Sequence, residues 1–278
     1  MRVHKSLFRF WPMVPLLLSL LLSPAFAQAP VDRAWSVLQT GLTNQGTDQR
    51  AIATRVLGLL ENDPKASDLA LKALSDEKLE VRAAAAEALG QMKARSAAPR
   101  LAQIILGDEK DVGVILACAR AMVDLGDNRG YGVYYAVLTG ERKSGAGLVE
   151  EQKKMLSDPK KMAQFGFEQG IGFIPFAGLG YGAFKAFSKD DVSPVRAAAA
   201  KVLTKDPDPK SGAALAAAAS DKSWIVRIAA LDSLARRGDP SLIHQIQTRL
   251  DDDKEAVRYT AAGAILRLSK SGIPAPKK

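Results

Sequence analysis

Three segments of this sequence align without gaps: DDVSPVRAAAAKVLTKDPDP from Asp190, DKSWIVRIAALDSLARRGDP from Asp221 and DDKEAVRYTAAGAILRLSK from Asp252. Each segment contains a Val-Arg pair, and these pairs lie 31 residues apart, at Val195-Arg196, Val226-Arg227 and Val257-Arg258. A fourth copy, DEKLEVRAAAAEALG from Asp76, contains Val81-Arg82. A fixed period near 31 residues indicates a repeat protein whose units stack on one another.

Two weaker copies fit the same template, one centred on Arg50 and the other with Ile115 at the arginine position. Three positions after the arginine position every unit has a small residue: Ala53, Ala85, Cys118, Ala199, Ala230 and Ala261. Seven positions after it every unit has a large apolar residue: Leu57, Leu89, Met122, Leu203, Leu234 and Ile265. Residues four apart share one face of a helix, so each unit opens with a helix that can pack closely on its neighbours.

A second helix in each unit is predicted from the dipeptides Asp63-Pro64, Asp208-Pro209 and Asp239-Pro240. The aspartate side chain accepts hydrogen bonds from the free amides at the start of a helix. Proline is tolerated at the first helical position because its missing amide would have no partner there. Each unit therefore consists of two helices.

These residues resemble the HEAT-repeat family, in the short form known as PBS-lyase HEAT-like repeats. The resemblance implies an all-α fold, an α-solenoid built as a right-handed superhelix of about six helix pairs. It also implies that the aspartates and arginines of adjacent units form an internal ladder with a structural role, from which the Arg50 and Ile115 units depart. The ladder residues are Asp76, Arg82, Asp190, Arg196, Asp221, Arg227, Asp252 and Arg258.

The first 27 residues have the layout of a secretory signal peptide. Basic residues Arg2, Lys5 and Arg9 precede the apolar run MVPLLLSLLL and the small-x-small site Ala25-Phe26-Ala27. We predict cleavage after Ala27, the alternative being an uncleaved membrane anchor. Cleavage removes three basic residues and no acidic one, so the net charge falls from +9 to +6. Export places the protein in a periplasm or outside the cell, which disfavours nucleic acid as a partner.

The regular spacing breaks between Ile115 and Arg196, which are 81 residues apart. We place N-terminal repeats at 28–138, a glycine-rich helical insertion at 139–189 and C-terminal repeats at 190–268. Residues 165–187 contain only two charged side chains and are interpreted in three ways. They form a membrane-active hairpin, a docking loop for a partner protein, or an atypical helix pair packed on the solenoid. The candidate contacts to membrane or partner are Phe165, Phe167, Phe173, Phe176, Tyr181 and Phe184.

Little in the sequence indicates catalysis. A single cysteine excludes a disulfide framework and a zinc site with the usual four ligands. Relatives of these repeats include bilin lyases and di-iron deoxyhypusine hydroxylases, but this sequence has none of the His-Glu pairs that the hydroxylases use. We expect His244 to be solvated and Cys118 to be a buried, inert thiol in the alanine position. No catalytic, cofactor-binding or metal-binding residue is predicted.

The sequence therefore predicts an exported, non-enzymatic scaffold, a monomer, that binds another protein through its concave face or its insertion. The first alternative is an envelope protein that contacts the membrane peripherally through residues 165–187. The second is an enzyme or enzyme subunit related to bilin lyases. We further expect the helix around Trp35 to Leu42 to cap the solenoid and residues 269–278 to form a disordered tail.

Overall fold

The computed structural model describes residues 25–107, 109–138 and 193–271, and these residues form twelve α-helices and no strand. In chain order the helices are α1 (Ala25–Leu42), α2 (Thr47–Val56), α3 (Pro64–Ala73), α4 (Leu79–Gln91), α5 (Ala98–Leu106), α6 (Val112–Asp124), α7 (Arg129–Leu138), α8 (Ser193–Leu203), α9 (Pro209–Ala218), α10 (Trp224–Arg237), α11 (Ile243–Ile246) and α12 (Glu255–Ser271). Short 3₁₀ turns extend α2 and α5 and flank α11 on both sides. The predicted all-α solenoid is confirmed, while its right-handed superhelix stays a prediction.

The second helices begin where the Asp-Pro dipeptides place them. Asp63 caps α3 by accepting a hydrogen bond from the backbone amide of Ala66 at 3.0 Å, and Pro64 is the first helical residue. Asp208 caps α9 in the same way, accepting from the amide of Lys210 at 2.9 Å. The start of each helix is therefore fixed by residues beside it in the sequence.

The first helices pack side by side through their small residues. The residues three positions after the arginine position are fully buried in five of the six units: Ala53, Ala85, Cys118, Ala230 and Ala261. Side chains of this size let helix axes approach closely and give continuous contact from unit to unit. This position is alanine-rich because the stacking of first helices forms the core.

The order of stacking differs from the order of the chain. The first helices pack in the order α8, α10, α12, α2, α4 and α6, so the C-terminal helix α12 lies against α2. The second helices α9, α11, α3 and α5 pack against the first helices α10, α12, α4 and α6, and α7 packs on α6. Helix α1 packs against both α12 and α2. The two termini of the described chain therefore meet in the middle of one continuous array.

The expectation that the N-terminal helix caps the solenoid is wrong. Helix α1 takes the place of a second helix for the unit that α12 begins, because that unit has no second helix of its own among the described residues. Ala34 and Leu38 of α1 are fully buried there. The helix is interior because α12 offers an apolar face that would otherwise remain in water.

We call the place where α1, α2 and α12 meet the junction. Two glycines allow these helices to approach one another closely there. A Cβ atom on Gly41 of α1 would lie 2.7 Å from both the Ala53 Cβ and the ring of Tyr259. A Cβ atom on Gly263 of α12 would lie 2.5 Å from the Val56 side chain of α2. The backbones of α1 and α12 thus occupy the space that a larger residue would fill, and this fixes their register.

Ion pairs and hydrogen bonds at the periphery of the junction link α12 and α1 to neighbouring turns and helices. Arg267 of α12 donates to the backbone oxygen of Leu59 at 2.7 Å and to that of Ala235 at 3.0 Å. Lys270 pairs with Asp63, the residue that caps α3. In the middle of α1, Arg33 pairs with Asp251. The C-terminal part of α12 is therefore bound to the unit that begins with α2.

Several sequence predictions concern residues outside the described ranges. They include the signal peptide core, residues 139–189 and the ladder residue Asp190. Helix α12 continues to Ser271, so residues 269–271 are helical and the expectation of a disordered tail now concerns residues 272–278, which lie outside the described ranges. Among the helices that the structure describes, none combines the length and the hydropathy that crossing a bilayer would need.

The close approach at Gly41 yields a stability test. We expect Gly41→Ala to lower the free energy of unfolding by about 1–3 kcal/mol, because the new methyl group overlaps Ala53 and Tyr259. Urea denaturation measures the change. The matched control is Gly132→Ala in α7, where the added Cβ meets nothing within 4 Å, and this variant should be unchanged or up to about 1 kcal/mol more stable. Equal effects at the two positions would contradict the tight junction.

Candidate functional site

A ladder of arginines runs along one edge of the stacked first helices. Arg50 donates to both carboxylate oxygens of Asp76 in the next unit, at 2.8 and 2.9 Å, and to the backbone oxygen of Asn44 in its own turn at 2.8 Å. Arg82 repeats this geometry with Glu109 at 2.8 and 3.0 Å and with the Asp76 backbone oxygen at 3.1 Å. Each arginine therefore links its own turn to the carboxylate of the next unit.

The C-terminal repeats show the same arrangement. Arg196 pairs with Asp221, and Arg227 donates to Asp252 at 2.7 Å and to the Asp221 backbone oxygen at 3.0 Å. Arg258 donates to the backbone oxygen of Asp252, six residues earlier, at 2.8 Å. Arg82 and Arg227 make the same contact in their own units. The structure thus brings together the described ladder residues that the sequence singled out.

Two members of the ladder were not expected. The Arg50 unit was expected to depart from the pattern, and this is wrong, because Arg50 pairs with Asp76 although its own unit has Asn44 at the aspartate position. Glu109 takes the aspartate role in the Ile115 unit. Its signal in the sequence was its spacing, 27 residues after Arg82, close to the spacing of 26 residues between Arg50 and Asp76.

The electrostatics of the ladder favour paired, charged groups. Hydrogen bonds from Arg50 hold the pKa of Asp76 below its usual range, against the opposing effect of burial. Burial would raise the pKa of Glu109, but hydrogen bonds from Arg82 and from the Asp111 amide outweigh it and the pKa is lowered. Carboxylates held ionised by arginines suit a structural role and do not provide a proton donor at neutral pH.

A groove of about 670 Å³ lies beside the ladder, between the end of α3 and α5. Arg100 lines it and is held by Gln103 at 2.7 Å and by the Ser75 hydroxyl at 3.1 Å. Lys110 contributes a second positive charge, and Ile104 adds an apolar wall. The groove combines basic and apolar surface, which suits an acidic segment that also carries apolar side chains.

Leu106 is an exposed apolar residue at the end of α5. In the sequence it lies between Ile104 and Gly107, which both line the groove. Its side chain is 84% exposed. The residue that follows the last regularly spaced apolar position is polar after α1, α3, α9 and α11: Thr43, Ser75, Ser220 and Asp251. Alignment of the second helices would have revealed this difference, which alignment of the first helices alone does not.

The other side chains considered for catalysis, metal binding or partner contact do not form a site among the described residues. Cys118 is fully buried, and burial raises the pKa of its thiol to about 12. His244 is exposed on α11. The described residues contain no group of three histidine, cysteine, aspartate or glutamate side chains that could hold a metal ion. The predicted contact residues all lie outside the described ranges: Phe165, Phe167, Phe173, Phe176, Tyr181 and Phe184.

Comparison with known families matches the HEAT-repeat model to residues 36–129 and 182–266. The chain belongs to the HEAT-repeat family. No curated protein sequence matches this HEAT-repeat protein.

Solved structures resemble it weakly. Human deoxyhypusine hydroxylase in complex with glycerol aligns over 88% of this chain and 99% of its own at 18% identity, with a TM-score of 0.33. Two engineered proteins align at 16% identity. One covers 87% of this chain and 98% of its own with a TM-score of 0.28, and the other covers 84% and 98% with a TM-score of 0.27. Likenesses this low assign no activity to the HEAT-repeat protein.

The ladder predicts an acid-dependent loss of stability. The folded-state pKa of Asp76 is lowered, so its pairing with Arg50 stabilises the fold above the unfolded-state pKa and is lost as the pH falls through the folded-state pKa. We expect the free energy of unfolding to decrease from about pH 5 downward. Asp76→Asn should cost about 1–3 kcal/mol at pH 7 and reduce this decrease.

Urea unfolding between pH 7 and pH 3 measures both effects. The control is Asp68→Asn on α3, an exposed aspartate, which should change the free energy by less than about 0.5 kcal/mol at every pH. A pH profile of Asp76→Asn that is parallel to the wild-type profile would show that this pair does not couple folding to protonation.

Proposed function

We propose that this HEAT-repeat protein is an exported scaffold without catalytic activity, and that it binds a partner protein at the groove between α3 and α5. The observation that carries the proposal is the exposure of Leu106, an apolar residue that reaches water where the other units have polar ones. Exposed apolar residues beside a concave, charged surface are typical of binding sites for other proteins.

The chemistry of the groove indicates the kind of segment it would accept. Arg100 and Lys110 are cations, while the carboxylate of Glu109 is already paired with Arg82. A partner carboxylate would therefore meet positive charge, and an apolar side chain would cover Leu106. Because Arg100 is already oriented by Gln103 and Ser75, it loses little freedom when a carboxylate binds.

Export is supported by the order of basic, apolar and small residues in the first 27 positions. Arg33, Ala34 and Leu38, which hold α1 in the array, all lie beyond the predicted cleavage site. Removal of residues 1–27 would leave these contacts in place. The proposed mature protein is a monomer in a periplasm or outside the cell.

The surroundings of two reactive side chains support a binding role over a catalytic one. A thiol with a pKa of about 12 is protonated at neutral pH, so Cys118 would be a poor nucleophile for a lyase reaction. His244 lies on the exposed surface of α11. An imidazole that acts in catalysis is usually oriented by a neighbouring group in a cleft.

Site-specific photocrosslinking tests the partner site. A benzophenone amino acid placed at Leu106 should crosslink to a partner protein in cells that express the full chain. The same amino acid at His244, which is also exposed but lies on α11, is the matched control and should not give that product. A second variant, Leu106→Ser, copies Ser75 and should fold with unchanged stability but lose at least about tenfold of the partner affinity.

Binding of the partner protein must depend on Leu106 to support the proposal. A partner retained equally by Leu106→Ser and by the wild-type chain would place the binding surface elsewhere. Crosslinks of equal strength at Leu106 and at His244 would indicate contact without a specific site.

Export is tested separately by the N-terminal residue of the mature protein. We expect the exported chain to begin at Gln28, because the small residues Ala25 and Ala27 suit the cleavage site. Ala27→Asp should leave the precursor uncut, while Ala29→Asp, beyond the site, should be processed. A membrane-bound chain that keeps its first residues would show an uncleaved anchor.

A further inference from the structure

Leu79, the first residue of α4, is a second exposed leucine beside the groove. Its side chain is 43% exposed, and it lies three residues before Arg82, which lines the groove. Residues three apart in a helix are neighbours on its surface, so the leucine side chain lies next to this arginine. The equivalent residues of the other units are either polar (Thr47, Ser193 and Glu255) or partly buried (Val112 and Trp224). Leu79 therefore differs from them as Leu106 differs from its own equivalents.

A salt bridge limits the distance between the two leucines. Leu79 lies three residues before Arg82, and Leu106 lies three residues before Glu109. The Nε atom of this arginine and the Oε2 atom of this glutamate are 2.8 Å apart. Three helical residues rise about 4.5 Å and three extended residues span at most about 11 Å, so the two leucines lie on the order of 15 Å apart. One exposed leucine thus lies near each end of the salt bridge.

The surface between the leucines is positively charged. Arg100 and Lys110 line the groove, whereas Arg82 and Glu109 neutralise each other. The start of α4 adds to this field, because its N-cap residue Lys78 provides no side-chain cap for the free amides. A bound carboxylate would therefore meet cations and the positive end of a helix dipole.

The size of the groove favours an extended segment over a helix. A helix with a diameter of about 10 Å would fill the volume of about 670 Å³ over a length of about 9 Å, which is less than two turns. A helix as short as this has little stability of its own. An extended chain spans the distance between the two leucines with about five residues.

We propose that the groove accepts an extended partner segment with one apolar residue at each end and acidic residues between them. This inference rests on the proposed function, because it specifies the ligand of the same groove. One apolar side chain contacts Leu106 and the other contacts Leu79, while the acidic residues face Arg100 and Lys110. A basic segment would not fit, because its cations would lose water without gaining a partner of opposite charge.

Peptide binding to the full-length protein tests the two apolar contacts. The probe is fluorescein-labelled Gly-Leu-Ser-Asp-Glu-Ser-Leu-Gly, and fluorescence anisotropy measures its affinity. Leu79→Thr, which copies Thr47, and Leu106→Ser should each weaken binding at least about fivefold, because each removes an apolar contact. The matched control is Val202→Thr on α8, which also removes an exposed apolar side chain and should leave the affinity unchanged. Circular dichroism of each variant checks that the fold is retained.

A second peptide tests the recognition of charge. Replacing the acidic residues of the probe by Asn and Gln should weaken its binding to the wild-type chain at least about fivefold. In Arg100→Gln the difference between the two peptides should become smaller, because the two changes remove the same interaction. Added salt should weaken the binding of the acidic peptide more than that of the neutral one.

The results distinguish this inference from the proposed function. Loss of affinity in Leu106→Ser but not in Leu79→Thr would keep the groove as a binding site and show that the two-ended segment is wrong. Equal binding of the acidic and neutral peptides would contradict the recognition of charge. A probe that does not bind the wild-type chain, although position 106 still crosslinks to a partner in cells, would overturn only the ligand chemistry proposed here. Binding that is unchanged in both leucine variants would contradict the groove itself.

Discussion

The packing of α12 against α1 and α2 joins the two halves of this protein, and the rest of the array depends on it. Helix α12 begins a unit for which the described residues provide no second helix after it in the chain, and α1 precedes a unit that already has its own pair. Among the described residues, α1 therefore fills the second-helix position of the unit that α12 begins. Burial of Leu38 alone contributes about 1.5–3 kcal/mol, and the close approach at Gly41 and Gly263 makes the fit specific.

The polar contacts at this junction differ from those between the regular units. At the regular interfaces an arginine reaches the carboxylate of the next unit, but the unit that follows α12 has Asn44 at that position. Arg258 accordingly pairs with Glu255 on its own helix at 3.3 Å. The connection moves to the C-terminal end of α12, where Arg267 and Lys270 bind the turn before α3. This chemical difference distinguishes the junction from the other interfaces and favours one register of stacking.

The loop between α5 and α6 contributes residues both to the arginine ladder and to the groove. The Ile115 position lies 33 residues after Arg82, two more than the regular period. The loop that holds these extra residues carries Glu109, which ends the run of pairs from Arg50, and Lys110, which lines the groove. Since Ile115 has no guanidinium to extend the ladder, this edge of the array is free to differ from the repeat. The candidate binding surface thus lies where the repeat pattern is interrupted.

The helical repeat, most buried positions of the first helices and the starts of the second helices follow from the amino-acid sequence alone. Each depends on residues within one unit: alanines four residues before a larger apolar side chain, or an aspartate beside a proline. Three features are visible only in the folded protein: α1 lies inside the array, Arg50 joins the ladder and Glu109 replaces an aspartate. These features depend on contacts between residues far apart in the chain, up to 218 positions for Arg33 and Asp251. A local pattern cannot specify which distant apolar face a helix covers, because many faces of similar composition compete and the best geometric fit selects one.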